Sequence, residues 1–271
     1  MRGLLDGSRG AQRLGCRSER MKKTHSIIAA GAGLAVVLTG GLVAANWRTA
    51  EATSSGKHFA RPARELSAKI PAATDLTRYG VLGDEQALRL MQNSAPACQA
   101  ALKAAGVTFT AVPAVQEGEC GYREAVEVKS SLADFIPNPG APEHLPMTCD
   151  LAARLHLWER HVVIPAAEKY LGSPVKDVKL FGTFQCRTVA GMERLSEHSF
   201  AKAADVAAFV LADGREISVL KDYYSQGPKG DFLREVRERA CDIFDVTLGP
   251  DYNDDHANHL HLDVGGDHAC R

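Results

Sequence analysis

An α+β fold is predicted for this chain: an antiparallel sheet with flanking helices, stabilised by disulfides. Short runs of strand character lie between amphipathic helical stretches without any internal repeat, an order that favours helices packed on antiparallel strands. Asp213-Gly214 sits between two apolar runs, a strong hairpin signal. Of the seven cysteines, six lie beyond an N-terminal apolar segment, the usage expected of a domain stapled in an oxidising compartment.

The elements follow in order. A short helix is expected over 84–90 and another over 98–105, the second stopped by Gly106. Residues 107–112 alternate threonine with apolar side chains and read as a strand, as does 126–128. Residues 137–146 form a proline-rich loop. From Thr148 or Asp150 to about 170, Leu151, Leu155, Trp158, Val162 and Ala166 recur at helical spacing. Pro165 ends or kinks that helix, because it has no N–H to donate. Trp158 belongs to the core, whereas His156 and His161 read as solvated. Residues 178–184 suit a strand, and 206–211 with 216–219 form the hairpin. Residues 232–244 read as a helix with Leu233, Val236, Ala240 and Phe244 on one face and paired charges on the other.

The N-terminal part reads differently. Lys22-Lys23 precedes residues 27–45, which contain no charge. Two lysines before such a core are the layout of a secretory signal or an uncleaved anchor, and the run is long enough to cross a bilayer. Met21 is expected to be the functional start and residues 1–20 a gene-model extension. Residues 21–46 are then the signal or membrane anchor, 47–95 a linker rich in Ala, Ser, Lys, Arg and Pro, and 96–271 the folded domain. The expected location is periplasmic or extracytoplasmic. With a formal net charge of −1 and no basic face, nucleic acid is not a partner.

No C-x-x-C pair occurs, so a cysteine-rich zinc module or a thioredoxin-like redox site is excluded. Six cysteines allow many pairings. Nearest-neighbour pairing gives Cys98–Cys120, Cys149–Cys186 and Cys241–Cys270.

Chemistry concentrates at the C-terminal end. Residues 259–264 alternate strictly, so His259, His261 and Asp263 share one face of a strand while Leu260, Leu262 and Val264 share the other. His256 lies just upstream in a loop rich in Asp and Asn. The second half of the constellation is His198 and Asp205, at the mouth of the strand over 206–211. The six residues between them must fold back to bring the two side chains together. Two histidines and one aspartate suit zinc and leave a fourth position for water. A lone His-x-His strand is commonly a surface or core feature, so the pattern alone does not choose the ligands.

The motifs Cys120-Gly121, Thr148-Cys149-Asp150 with Trp158, and the run from Phe181 to Arg187 form one set. The runs Leu195–Val206 and Phe232–Phe244, with Leu248–Asp263, complete it. Together they resemble the bacterial extensin-like C-terminal domain family over roughly residues 97–270. The zinc pattern is in turn similar to the lysostaphin, D-Ala-D-Ala peptidase and sonic hedgehog superfamily, closest in spacing to penicillin-insensitive murein endopeptidases. That resemblance implies a zinc cleft with His198, Asp205 and His261 as ligands and His259 and His256 beside the metal. It also implies that Arg187 faces the substrate, where a guanidinium can bind a stem-peptide carboxylate or steady an oxyanion. The implied activity is zinc-dependent peptidoglycan hydrolysis of D-amino-acid-containing stem or cross-link peptides. The alternative is a non-catalytic wall-binding module on the same fold. The chain departs from the pattern at Asn258, where dipeptidases carry a glutamate base, and at Phe200-Ala201 and Lys202 in the loop between the first two ligands.

Overall fold

The computed structural model describes residue 76 and residues 94–271, all within one compact unit spanning residues 60–271. The helix expected over 84–90, the apolar segment at 27–45 and nearly all of the linker lie outside the described residues. Among the described residues, no helix is long and apolar enough to cross a membrane.

Helix α1 (Ala95–Ala104) begins at Ser94, whose side chain accepts the Ala97 N–H, with Pro96 in the first turn. Proline fits there because its missing N–H falls among donors that lack intrahelical partners. Strands β1 (Thr108–Val112) and β4 (Ala125–Ser130) pair antiparallel and enclose the small hairpin β2 (Val115–Glu117) and β3 (Cys120–Tyr122). Gly121 has φ 138°, and a Cβ there would lie 2.1 Å from the Val115 carbonyl oxygen. Only glycine lets the two strands approach this closely.

The main sheet has seven strands. Its order is β11-β9-β10-β7-β6-β5, with β8 also on β7. These are β5 (Asp134–Pro137), β6 (Val175–Gly182), β7 (Ala203–Leu211), β8 (Glu216–Ser218), β9 (Val246–Leu248), β10 (Leu260–Asp263) and β11 (Ala269–Cys270). The expected sheet was antiparallel, and its centre is. At the edges, β5 pairs parallel with β6 and β11 parallel with β9. The β5–β6 pair is parallel because a long helical crossover joins its strands. The hairpin at Asp213-Gly214 is formed by β7 and β8 as the sequence suggests.

That crossover is α2 (Cys149–Trp158), a π-helical turn (Glu159–Val163) and α3 (Ile164–Leu171). The wider turn ends where Pro165 occurs, in the first turn of α3. The chain thus accommodates the proline by a π-bulge instead of breaking the helix. The helices cover one face of the sheet. Trp158 is fully buried against Phe209 and Phe244 and donates its indole N–H to the Val236 carbonyl at 2.9 Å. Val236 lies on α5 (Pro228–Ala240), reached through the one-turn helix α4 (Val219–Asp222). Leu180, Val206, Leu260 and Leu262 join the same core, and so does Leu76 from ahead of the domain.

His156 corrects an expectation. It is buried, not solvated, with Nδ1 3.0 Å from Ser131 Oγ, which lies 2.5 Å from Glu159 Oε2. Helical periodicity placed it on the outer face, but the β4–β5 connection folds over that face. Burial pushes the Glu159 carboxyl up to about 8, and burial with Arg160 and His161 pushes His156 down to about 4.

The disulfides join Cys98 to Cys149, Cys120 to Cys186 and Cys241 to Cys270. Only the last agrees with nearest-neighbour pairing. The first two interleave because α1 packs on α2 and the β2–β3 hairpin lies against the loop after β6. Peptide mapping under non-reducing conditions is expected to recover the 98–149 and 120–186 links; a 98–120 link would overturn this topology.

The Glu159 cluster makes stability depend on pH. Folding raises the affinity of Glu159 for its proton, so its contribution is complete below about 4.5 and is lost as pH rises through about 8. Neutral His156 acts in the opposite sense, but only below its ordinary value of 6.5. Within this cluster the glutamate acts alone between pH 6.5 and 8. Over that interval the parent is expected to lose about 2 kcal/mol relative to Glu159→Gln in urea unfolding. Parallel curves for the two proteins would count against a proton on Glu159.

Candidate metal centre

Strand register builds the site. Asp205 on β7 is the cross-strand partner of His261 on β10, and Gly182 of β6 is the partner of Asp205 on the other side. Because side chains alternate, Val206, Leu260 and Leu262 enter the core while Asp205, His261 and Asp263 emerge on the opposite face. His198 arrives from a different direction. Residues 183–199 turn back on themselves: Gln185 N–H donates to the His198 carbonyl at 3.1 Å and Ser196 N–H to the Arg187 carbonyl at 3.0 Å. Ser199 Oγ accepts the Arg187 N–H at 3.0 Å and donates to the Arg187 carbonyl at 2.8 Å. The Cys120–Cys186 bridge ties this loop to the β2–β3 hairpin.

After the 3-10 turn Glu197–Phe200, Ala201 adopts φ 54°. It is the only non-glycine residue with positive φ among those described. This left-handed residue reverses the chain into β7, which answers how seven positions separate two side chains that touch. An L-residue held there costs on the order of 1–2 kcal/mol. The Ala201 carbonyl accepts the Thr148 N–H at 2.8 Å, anchoring the turn to the start of α2.

His198 Nε2 lies 3.1 Å from Asp205 Oδ1 and 3.2 Å from His261 Nδ1, and His261 Nδ1 lies 3.0 Å from Asp205 Oδ1. Three donors at nearly equal spacing match the edges of a tetrahedron, about 3.3 Å for metal–ligand bonds of about 2.0 Å. These three residues form the group able to hold a metal ion among the described residues, and His259 is not a member of it. The donor set, two imidazoles and a carboxylate, suits zinc and leaves a fourth direction open.

The outward nitrogens are also held. His198 Nδ1 lies 3.3 Å from the Thr183 carbonyl, and His261 Nε2 lies 3.0 Å from Asp263 Oδ2. Asp263 Oδ1 accepts the Gly265 N–H at 3.0 Å. Such outer partners fix which ring nitrogen turns inward. Burial opposes the charge on Asp205, yet His198 and His261 hold its carboxyl well below the usual range. Burial likewise opposes protonation of His261, but Asp205 and Asp263 push it up to about 9.

His259 Nε2 lies 3.4 Å from Asp205 Oδ1, and the His259 ring meets Phe181 edge-on at 6.1 Å. Burial pushes His259 down. The His256 ring lies 5.1 Å from that of His259 and 5.9 Å from that of His261, and burial, with His259 and His261 beside it, pushes His256 down to about 4. Arg187 is exposed, with Nε donating to Gln185 Oε1 at 3.1 Å. Its charge is one of those that disfavour a proton on His259. Sequence reasoning passed over two members. Asp263 was placed on the right face, but its role was not seen; the His-x-Asp spacing was the available signal. The Thr183 carbonyl had no signal, since any residue supplies one.

Fold and site define a disulfide-stapled α+β domain with a buried His/Asp/His group at the end of a mixed sheet. The chain belongs to the family described as extensin-like protein C-terminus, matched over residues 96–271. No curated protein and no solved structure matches it.

If Asp263 orients His261, Asp263→Ala is expected to weaken zinc binding by about 10- to 100-fold. Competition with a chromophoric chelator measures this. Unchanged affinity would remove Asp263 from the centre.

Proposed function

We propose that the domain is a zinc-dependent peptidoglycan hydrolase that cleaves D-amino-acid-containing stem or cross-link peptides outside the cytoplasm. The observation that carries this reading is the open ligand triangle of His198, Asp205 and His261, with a separate histidine, His259, at its edge. A structural zinc site would be closed by a fourth protein ligand. The spacing of His256, His259 and His261 matches that of the murein endopeptidases of the lysostaphin superfamily, and this supports the substrate class. Three disulfides and the apolar segment at 27–45 support an exported location.

Bound zinc would supply Lewis acidity, acidifying water and polarising the scissile carbonyl. His198, Asp205 and His261 would hold it. His259 Nε2 would take a proton from the attacking water and return it to the leaving amine. His256, in ring contact with His259, would orient or share that role. Arg187, exposed and bonded through Nε to Gln185, would turn its remaining N–H donors to a stem-peptide carboxylate.

The test compares the intact chain with two variants on metal content and on digestion of isolated peptidoglycan. His261→Ala is expected to lose both zinc and activity. His259→Ala is expected to keep about one zinc per chain and lose turnover by about 10²-fold or more. If His259→Ala digests wall as well as the parent, His259 has no catalytic part. If the parent binds zinc and digests no preparation, the domain is a wall-binding module.

A further inference from the structure

Two asparagines precede β10, and the reading above gives neither a role. Asn253 caps the 3-10 turn Asp254–His256, its Oδ1 accepting the His256 backbone N–H at 3.2 Å. A backbone N–H only donates, so this amide must present its oxygen there. The same Oδ1 lies 2.5 Å from His256 Nδ1. Two acceptors do not bond each other, so Nδ1 carries the ring proton and Nε2 keeps its lone pair. Asn258 stands beside the next histidine, where the ring itself is the partner of the amide. Its Oδ1 lies 2.8 Å from His259 Nδ1, while His259 Nε2 faces Asp205 Oδ1 at 3.4 Å.

Ring contacts restrict both imidazoles against turning over. Tyr252 meets His256 edge-on at 5.4 Å, Phe181 meets His259 edge-on at 6.1 Å, and the two histidine rings lie 5.1 Å apart. Thus His198, His261 and His259 each have an oxygen acceptor on the nitrogen that does not face Asp205, and His256 has one on Nδ1. For His198 and His261 the acceptors are the Thr183 carbonyl and the Asp263 carboxylate. For His256 and His259 they are neutral side-chain amides.

We propose that Asn253 and Asn258 are positioning residues that set the tautomers of His256 and His259, holding the ring proton of each on Nδ1 and leaving Nε2 unprotonated. The assignment stands on geometry; its catalytic consequence rests on the hydrolase reading. A neutral acceptor fixes a tautomer without favouring the doubly protonated ring; for His259 the Asn258 oxygen, 2.8 Å from Nδ1, is the nearer acceptor and the Asp205 carboxylate, 3.4 Å from Nε2, the farther. Asn258 is then the partner that keeps the proton of His259 on Nδ1 and its lone pair on Nε2.

The test is a long-range proton–nitrogen correlation spectrum of the intact, zinc-loaded protein labelled with 15N-histidine, each ring assigned by its own His→Gln variant. At neutral pH the parent should show the Nδ1–H pattern for both His256 and His259. Asn258→Leu should abolish that pattern for His259 alone, with zinc content unchanged and peptidoglycan digestion reduced about 10-fold or more. Asn258→Asp, which keeps the acceptor, should retain Nδ1–H. An Nε2–H pattern for either ring in the parent overturns the proposal, as does an unchanged His259 in Asn258→Leu. Should Asn258→Leu fail to fold, the parent spectrum decides alone. A parent with both Nδ1–H patterns that digests no wall preparation leaves the tautomers standing and sinks only the hydrolase reading.

Discussion

Asp205 stands opposite His261 because β7 and β10 pair in one register, and the rest of the centre is built around that pair. The register is held from the other face of the sheet. Leu260, Leu262 and Val206 are fully buried beneath the helices, and a slip of one residue would drive His261 and Asp263 into the core. Burial of these three aliphatic side chains, each worth roughly 1.5–3 kcal/mol, therefore locates a polar group on the opposite side. The bulge of β6 near Gly182 brings the chain end with Thr183 under His198.

The remaining ligand needs more than a strand. His198 lies on a loop that no sheet ladder holds, and the chain compensates with local bonds and one covalent staple. Ser199 is bonded to both the N–H and the carbonyl of Arg187, Ala201 reverses the chain at a conformational cost, and Cys186 is tied to the β2–β3 hairpin. Strain of this kind persists where surrounding structure over-determines it. The Thr148 N–H on the Ala201 carbonyl couples that turn to α2, which Cys149 fastens to α1. The two crossed disulfides thus brace the loop from one side and the helix behind it from the other.

Electrostatics at the centre are arranged in shells. Two carboxylates, Asp205 and Asp263, contact the one imidazole of His261 on its two nitrogens. His256 and His259 lie further out and are disfavoured as cations by burial and by His261. A ring with carboxylates on both sides suits holding a cation in place of a proton. Rings with neutral amide partners suit exchanging a proton.

The sequence by itself determined what depends on near neighbours. Period-two alternation over 259–264 placed His261 and Asp263 on one face, Asp213-Gly214 marked the β7–β8 hairpin, and helical spacing put Trp158 in the core, because these patterns report local backbone geometry. The resemblance to the zinc peptidase superfamily implied that His198, Asp205 and His261 meet, and they do. Tertiary structure alone decided the rest. Which cysteines pair depends on α1 meeting α2 and on a hairpin meeting a loop 66 residues away in sequence. That His156 is buried depends on a distant connection crossing its helix. The strands β5, β9 and β11 are too short to show a period of their own, and they exist because a longer neighbour offers them an edge. The Thr183 carbonyl and the inward-turned nitrogens belong to no side-chain pattern. They are settled by hydrogen-bond partners that become neighbours only when the chain is folded.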